Sequence, residues 1–321
     1  MILPISRRTA LTGLGGALAL LHAPRAGAAE LDELHVSIVP IFDVAPLFAA
    51  KEQGYFASEG IAVTTQAVQG GVVGIPGLVS GAYDVSYSNS ISTLMALERG
   101  IDLRIIAVGA PEEDQPPDPA GLVKRKGDPF RTGKDLEGKT VGVNARRDIE
   151  WLVVRGWIKA TGGDPDKVDY REVPVPQALD ALKSKQVDAA LVLDPFLTIG
   201  LGKPDFELLA WPFQIVLPRT RPAFWVVTGA TADRKAELVT RFIHGFRKGV
   251  AWVNANRGTE PYLKLVSSYT RIDPDLVKKI HVPPELETPD LGPIKELMAL
   301  MREQGLLSKD IDVEAKVFRT S

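Results

Sequence analysis

The feature that most restricts this chain is a phrase it uses twice: LVSGAYDVSYSNS from Leu78 and LKSKQVDAALVLDPF from Leu182. Each copy has the pattern of an amphipathic helix end, a short polar turn, an aspartate (Asp84, Asp188) leading into an apolar strand, and a polar stop at the strand's carboxyl end. Two copies of one design imply two α/β lobes. Ligands of open α/β sheets sit in the crevice outside the carboxyl ends of the strands, so two such lobes face to face would enclose one cleft.

Length supports the division. A chain of 321 residues exceeds one typical core, and 45% hydrophobic with 24% charged residues is the make-up of a folded soluble protein rather than a disordered or fibrous one. In the first half, strand patterns at 36–42, 61–68, 85–87 and 103–108 alternate with helical patterns at 45–53, 73–80 and 90–98, as a mostly parallel sheet requires. Residues 111–119, PEEDQPPDP, are polar and proline-rich and suit a connection between lobes. Strand patterns at 121–125, 139–144, 170–175 and 187–193, with helices at 148–161 and 177–185, predict a second sheet. The segment 223–228 leads back to the first lobe, and a long helix over 233–256 and shorter ones after it are expected to pack there. The predicted domains are a signal peptide over 1–28, a first lobe of 30–111 plus 230–321, and a second lobe of 112–229. A chain that crosses twice between lobes makes a hinge.

At the N-terminus, Arg7 and Arg8 precede an apolar run to Leu21 and the small-residue stretch AGAA at 26–29, the pattern of a twin-arginine-type export signal. The run is shorter than the roughly 20 residues of a membrane-spanning helix, so a periplasmic protein is expected. Residues 1–28 carry three arginines and no acid, and removing them takes the formal net charge from −2 to −5. A mildly acidic chain argues against a nucleic-acid partner. The chain has no cysteine, which excludes disulfides, thiolate metal sites and cysteine nucleophiles. His35, His244 and His281 stand alone, and the HExxH, GxSxG and Walker A patterns are absent, so no catalytic residue, metal or cofactor is expected.

The stretch VPIFDVAPL at 39–47, followed by KEQGYFASEGI at 51–61, resembles the opening of solute-binding proteins in the nitrate, sulfonate, taurine and thiamine-precursor branch of ABC importers. The similarity continues through residues 78–84, DLEGKTVGV at 135–143, and Val187-Asp188-Ala189 with Asp194-Pro195-Phe196, covering roughly 35–225. It implies a two-lobed type II periplasmic-binding-protein fold, a monomer that captures a small molecule and delivers it to a permease and its ATPase. Fungal enzymes that make the thiamine pyrimidine share the fold and are marked by a cysteine-rich motif, which this chain lacks; a non-enzyme is expected.

The ends of the predicted strands supply candidate ligand contacts. Phe42 and Asp43 stand where the first strand meets the first helix, placed to stack on a ligand and to accept from its amine, although an aspartate there also caps a helix. Gly70 and Gly71 open a helix with free amides suited to an anion. Ser88 and Asn89 offer hydrogen-bonding side chains at a strand end. Asn144, Arg146, Arg147, Asp148 and Glu150 crowd one strand-to-helix turn: the arginines suit a bidentate clamp on a carboxylate or sulfonate, the acids a helix dipole. The resemblance implies that Asp194 and Phe196 border the ligand, with a helix start capped by Asp194 as the alternative; Trp225 reads either as lining the cleft or as core packing. The expected ligand is therefore a small organic anion, a sulfonate or a carboxylate, an aromatic one included. The alternatives are an aminopyrimidine held by Asp43, Asp148 and Glu150, or a sensor module that uses the same cleft.

Overall fold

The computed structural model describes residues 31–68, 70–110, 115–218, 220, 223–280, 284–285 and 291–319. The expected signal peptide at 1–28 lies outside the described residues, as do Gln69 and positions 111–114 of the proline-rich connection.

The first half runs β1 (Asp32–Ile38), α1 (Ala45–Glu52), α2 (Tyr55–Ser58), β2 (Ile61–Ala67), α3 (Gly71–Ser80), β3 (Val85–Asn89), α4 (Ser90–Glu98) and β4 (Leu103–Val108). The second runs β5 (Ala120–Arg125), β6 (Thr140–Val143), α5 (Ile149–Ala160), β7 (Asp169–Glu172), α6 (Ala178–Lys183), β8 (Ala189–Leu193), α7 (Phe196–Leu201), β9 (Phe206–Ala210) and α8 (Pro212–Val216). The chain then returns through β10 (Ala223–Thr228), α9 (Gly229–Arg234), α10 (Ala236–Asn256), α11 (Glu260–Thr270), α12 (Pro274–Val277) and α13 (Ile294–Glu303).

These strands form two five-stranded sheets, ordered β2-β1-β3-β10-β4 and β7-β6-β8-β5-β9. In the first, β1 pairs in parallel with both β2 and β3; in the second, β6 pairs in parallel with β7 and β8. Each sheet is completed by one antiparallel insertion, β10 between β3 and β4, and β5 between β8 and β9. Helix α10 covers the first sheet with α1, burying Phe242, Phe246 and Val250 against Val36, Leu47 and Trp225. Helices α6 and α7 cover one face of the second through Leu179, Leu182 and Leu197.

Four details differ from the sequence-based expectation. Strand β1 ends at Ile38 rather than running to residue 42, because Pro40 has no N–H to continue the ladder; Phe42–Val44 is a short 3-10 turn instead. Strand β10 is hydrogen-bonded between β3 and β4, so the chain has rejoined the first sheet by Ala223, ahead of the boundary expected after 229. The long helix expected from Asp233 is two helices, broken where Lys235 leaves helical geometry (φ −123°, ψ 34°). Helix α13 packs on both halves rather than on the first alone: its Leu297 and Met301 share a core with Leu94 and Leu103 and with Val141 and Leu152. Polar contacts reinforce that bridge, with Arg155 Nε donating to Gln304 Oε1 at 2.8 Å on one side and Ser308 Oγ to Glu98 at 2.8 Å on the other.

Candidate functional site

The carboxyl ends of β3 and β8 and the N-terminal turns of α1, α3, α4 and α5 converge on one crevice, as the open-sheet geometry requires. It holds ≈ 780 Å³ of empty space with its open mouth included. Its walls are largely apolar: Phe42 and Tyr87 come from the first half, Phe213 and Leu193 from the second.

The polar groups in those walls are mostly acids. Asp43, Asp148, Glu150 and Asp194 all line the crevice, with Asn89 and Asn144 beside them, and no lysine, arginine or histidine does so among the described residues. Asp148 is the N-cap of α5 and is 2% exposed; its Oδ1 accepts from the Trp151 amide at 3.0 Å, and the amides of Glu150 and Ala145 also bond the carboxyl. Glu150, one turn residue later, folds back so that Oε2 accepts from the Asn144 amide at 2.9 Å. Asp194 Oδ1 accepts from the Thr198 amide at 2.8 Å, as a cap for α7, and Asp43 Oδ2 accepts from the Tyr87 hydroxyl at 2.6 Å.

Burial without a counter-charge disfavours ionisation. Burial lifts Asp148 to about 7 against the opposing pull of its amides, with the negative charge of Glu172 adding to the rise. Glu150 is pushed well above the ordinary glutamate range by burial and then by the charge of Asp148. Asp43 is raised by burial, partly offset by the Tyr87 hydroxyl. The buried Glu285 is raised by burial and by the charge of Asp43, partly offset by the Arg257 guanidinium. Ionising Asp43, Asp148 and Glu150 is thus disfavoured by burial, and a positive charge beside them would favour it.

The arginine clamp expected of Arg146 and Arg147 is not formed. Arg147 adopts a left-handed backbone (φ 63°), which turns the chain so that Asp148 faces the helix amides and Arg147 leaves the crevice to reach the Gly305 carbonyl at 3.5 Å. Arg146 gives its amide to Glu172 Oε1 at 2.7 Å and its guanidinium to the Tyr170 carbonyl and to Asp169 at 3.7 Å, with its side chain 57% exposed.

Four other expected contacts are absorbed by packing. Trp225 is fully buried between Tyr87 and Phe246, and Phe196 packs with the core of the second half. Ser88 is fully buried, accepting from Thr93 Oγ1 at 3.1 Å. Gly71 is required by that serine, since a Cβ there would lie 2.1 Å from Ser88 Oγ. Gly70 lines the crevice in a positive-φ conformation (66°), and Asn89 lines it while its Oδ1 caps α4 by accepting from the Ser92 amide at 2.8 Å.

The profile of the NMT1/THI5-like family matches residues 41–258, from the Phe42 turn of the crevice to the end of α10. The chain belongs to that family. Among solved structures, this NMT1/THI5-like chain is similar to the alkanesulfonate-binding protein SsuA of Xanthomonas axonopodis pv. citri bound to MOPS, at 19% identity over 91% of this chain and 99% of that one, with a TM-score of 0.74. It is similar to the periplasmic nitrate-binding protein NrtA of Synechocystis PCC 6803, at 14% identity over 89% and 85% with a TM-score of 0.71. It also resembles the desulfurization enzyme DSZB, at 14% identity over 89% and 96% with a TM-score of 0.66. At such identities the likeness carries the fold, that of two-lobed periplasmic binding proteins. No curated protein sequence matches the chain.

Several crevice residues of this NMT1/THI5-like chain escaped the sequence argument. Tyr87 and Leu193 sit inside predicted strands and Phe213 in an unassigned stretch, where aromatic or aliphatic character signals a core as readily as a pocket wall. Tyr87 alone carried a signal, its place one strand-face step from Asn89 in a polar strand end.

Proposed function

We propose that this protein is the periplasmic solute receptor of an ABC importer, binding one small molecule between its lobes without turnover and presenting it to a permease and ATPase. Family membership and the shared two-lobed fold support the receptor role. In that role binding energy shifts an open-to-closed equilibrium instead of lowering a reaction barrier. The ligand we infer is a compact molecule with an apolar, planar body and amino donors, of which an aminopyrimidine is one example, rather than the sulfonate or carboxylate that Arg146 and Arg147 suggested. One observation carries this choice: four carboxyl side chains and no basic side chain line the crevice among the described residues.

The test is thermal melting of the protein, unfolded and refolded once to strip carried ligand, against aminopyrimidines, other amino heterocycles, sulfonates, carboxylates and nitrate. A ligand at a hundredfold its dissociation constant adds about 2.7 kcal/mol, a shift of several degrees. Amino compounds are expected to raise the melting temperature and anions to leave it unchanged. A shift confined to sulfonates or carboxylates would reverse the ligand assignment and keep the receptor.

A further inference from the structure

We propose that the crevice takes an organic cation, of the planar amidinium or guanidinium kind, and that the cation enters in exchange for a proton held between Asp148 and Glu150. This rests on the receptor reading above and narrows it, since an amino donor can be neutral whereas the group inferred here is charged.

The argument starts from geometry. Asp148, the N-cap of α5, and Glu150 in its first turn stand two residues apart, both almost fully buried and both lining the crevice, with Asp148 Oδ1 accepting from the Trp151 amide and Glu150 Oε2 from the Asn144 amide. Asp194 faces them from the β8–α7 turn and Asp43 from the turn before α1, with the Tyr87 hydroxyl of β3 already committed to Asp43. Glu172 of β7 adds a further negative charge near Asp148, and Glu285 a buried acid near Asp43. The two arginines of the same turn point away, one to Asp169 and Tyr170, the other to Gly305.

Like charges gathered in a low-dielectric crevice cannot all ionise, so the empty crevice retains a proton on the Asp148–Glu150 pair, which titrates as a unit. A cation placed beside Asp148 and Glu150 supplies a counter-charge to that pair, and the retained proton leaves to bulk water. The pKa directions agree: both members of the pair are raised, Asp148 to about 7.

The apolar walls point to the same class. Phe42, Tyr87 and Phe213 line the crevice, and an aromatic residue can favour a cation set over its ring face. A planar amidinium or guanidinium matches carboxylates through two parallel N–H donors, whereas a compact ammonium does not.

Exchange has a definite sign. Benzamidinium keeps its charge across the neutral range, so its affinity should rise with pH while the pair loses its proton, by about tenfold per pH unit for one proton exchanged, and level off above the pair's pKa. The experiment is calorimetric titration of benzamidinium into the stripped, refolded protein at pH 5.5, 6.5 and 7.5, in two buffers of different ionisation enthalpy, with benzoate and 2-aminopyrimidine as comparison probes. Expected are affinity that climbs with pH, about one proton released per benzamidinium bound at the lower pH values, and no heat from benzoate. Glu150→Gln preserves the acceptor for the Asn144 amide and removes one of the two carboxyls; it should weaken benzamidinium tenfold or more and leave Asp148 as the one member of the pair that can still release a proton, while the ligand-free variant melts no lower than the parent. Binding of benzoate or 2-aminopyrimidine without benzamidinium would overturn the cation and leave the receptor standing. Benzamidinium binding that is independent of pH and releases no proton would overturn the exchange. If none of these probes binds and the melting panel is also silent, the receptor reading fails and this inference falls with it.

Discussion

The turn around Asp84 and the turn around Asp188 are one structure built twice, and their tips differ where the ligand crevice lies. In the first, the Asp84 amide donates to the His35 carbonyl at 2.8 Å, and its Oδ2 accepts from the His35 amide at 3.0 Å. In the second, the Asp188 amide donates to the Thr140 carbonyl at 2.7 Å, and its Oδ2 accepts from the Thr140 amide at 3.0 Å. Each aspartate thus stitches the start of one strand to its parallel neighbour, and each is flanked by a cation, Lys235 at 3.1 Å or Arg125 at 3.3 Å. The preceding helices end alike, with Gly81 (φ 79°) and Lys185 (φ 60°) in the left-handed region and two amides folding back to the carbonyl of Gly77 or Ala181. At the far end of the strands the likeness stops: β3 finishes in the neutral Asn89 and Ser90, β8 in Leu193 and the acidic Asp194. Shared hydrogen bonds hold the frame; the differing tips add Asp194 to the second half, whose β6–α5 turn brings Asp148 and Glu150 to the same crevice.

The largest expected effect tests the acidic turn at the start of α5, beside the β8 tip. Asp148 is raised to about 7 in the folded state. A carboxyl raised by folding contributes stability that is complete below its unfolded pKa near 4 and is lost as pH climbs through its folded value. The ligand-free protein should therefore lose on the order of 2–4 kcal/mol between about pH 4 and pH 7, read as a falling melting temperature. Asp148→Asn should flatten that fall, because it removes the carboxyl that burial raises. A melting temperature that does not drop over this window would mean that the α5 turn carries no such strained acid.

Next come the stitching aspartates. Asp188→Ala and Asp84→Ala each remove the carboxylate acceptor of a strand-edge amide and should each cost about 1 kcal/mol in chemical denaturation, the part-buried Thr140 amide making the Asp188 loss the larger by a few tenths. A loss at one position alone would break the equivalence of the two turns. The smallest effect sharpens it at the helix ends: Lys185→Gly relieves a left-handed non-glycine residue and should gain about 0.5 kcal/mol, while Gly81→Ala, which imposes the same burden, should cost about 1 kcal/mol.

Much of the frame was legible in the sequence because its cues are local. The repeated aspartate turns, the helix starting at Ala45 and closing at Gly54, and the α4 cap at Asn89 each depend on residues within a few positions of one another. The crevice was legible in outline only. Asp43, Asn89, Asn144, Asp148, Glu150 and Asp194 were placed correctly as strand-end or helix-start groups, and all line it. Arg146 and Arg147 have the same local credentials, and nothing in the order of residues distinguishes a side chain that enters the crevice from one that leaves it.

What the sequence by itself determined, then, is the pair of α/β lobes and the turns whose residues face their crevice, since period, caps and turn chemistry act over a few residues. Only the tertiary structure decided the character of the site. The left-handed backbone at Arg147, the carbonyls of Tyr170 and Gly305, and the carboxylates of Asp169 and Glu172 draw the basic groups of one turn outward. The amides at the start of α5 draw Asp148 and Glu150 inward, so a turn of mixed charge presents an acidic face. Those partners lie up to 158 positions away in the chain, and hydrogen-bond satisfaction across such separations exists only once the lobes are folded.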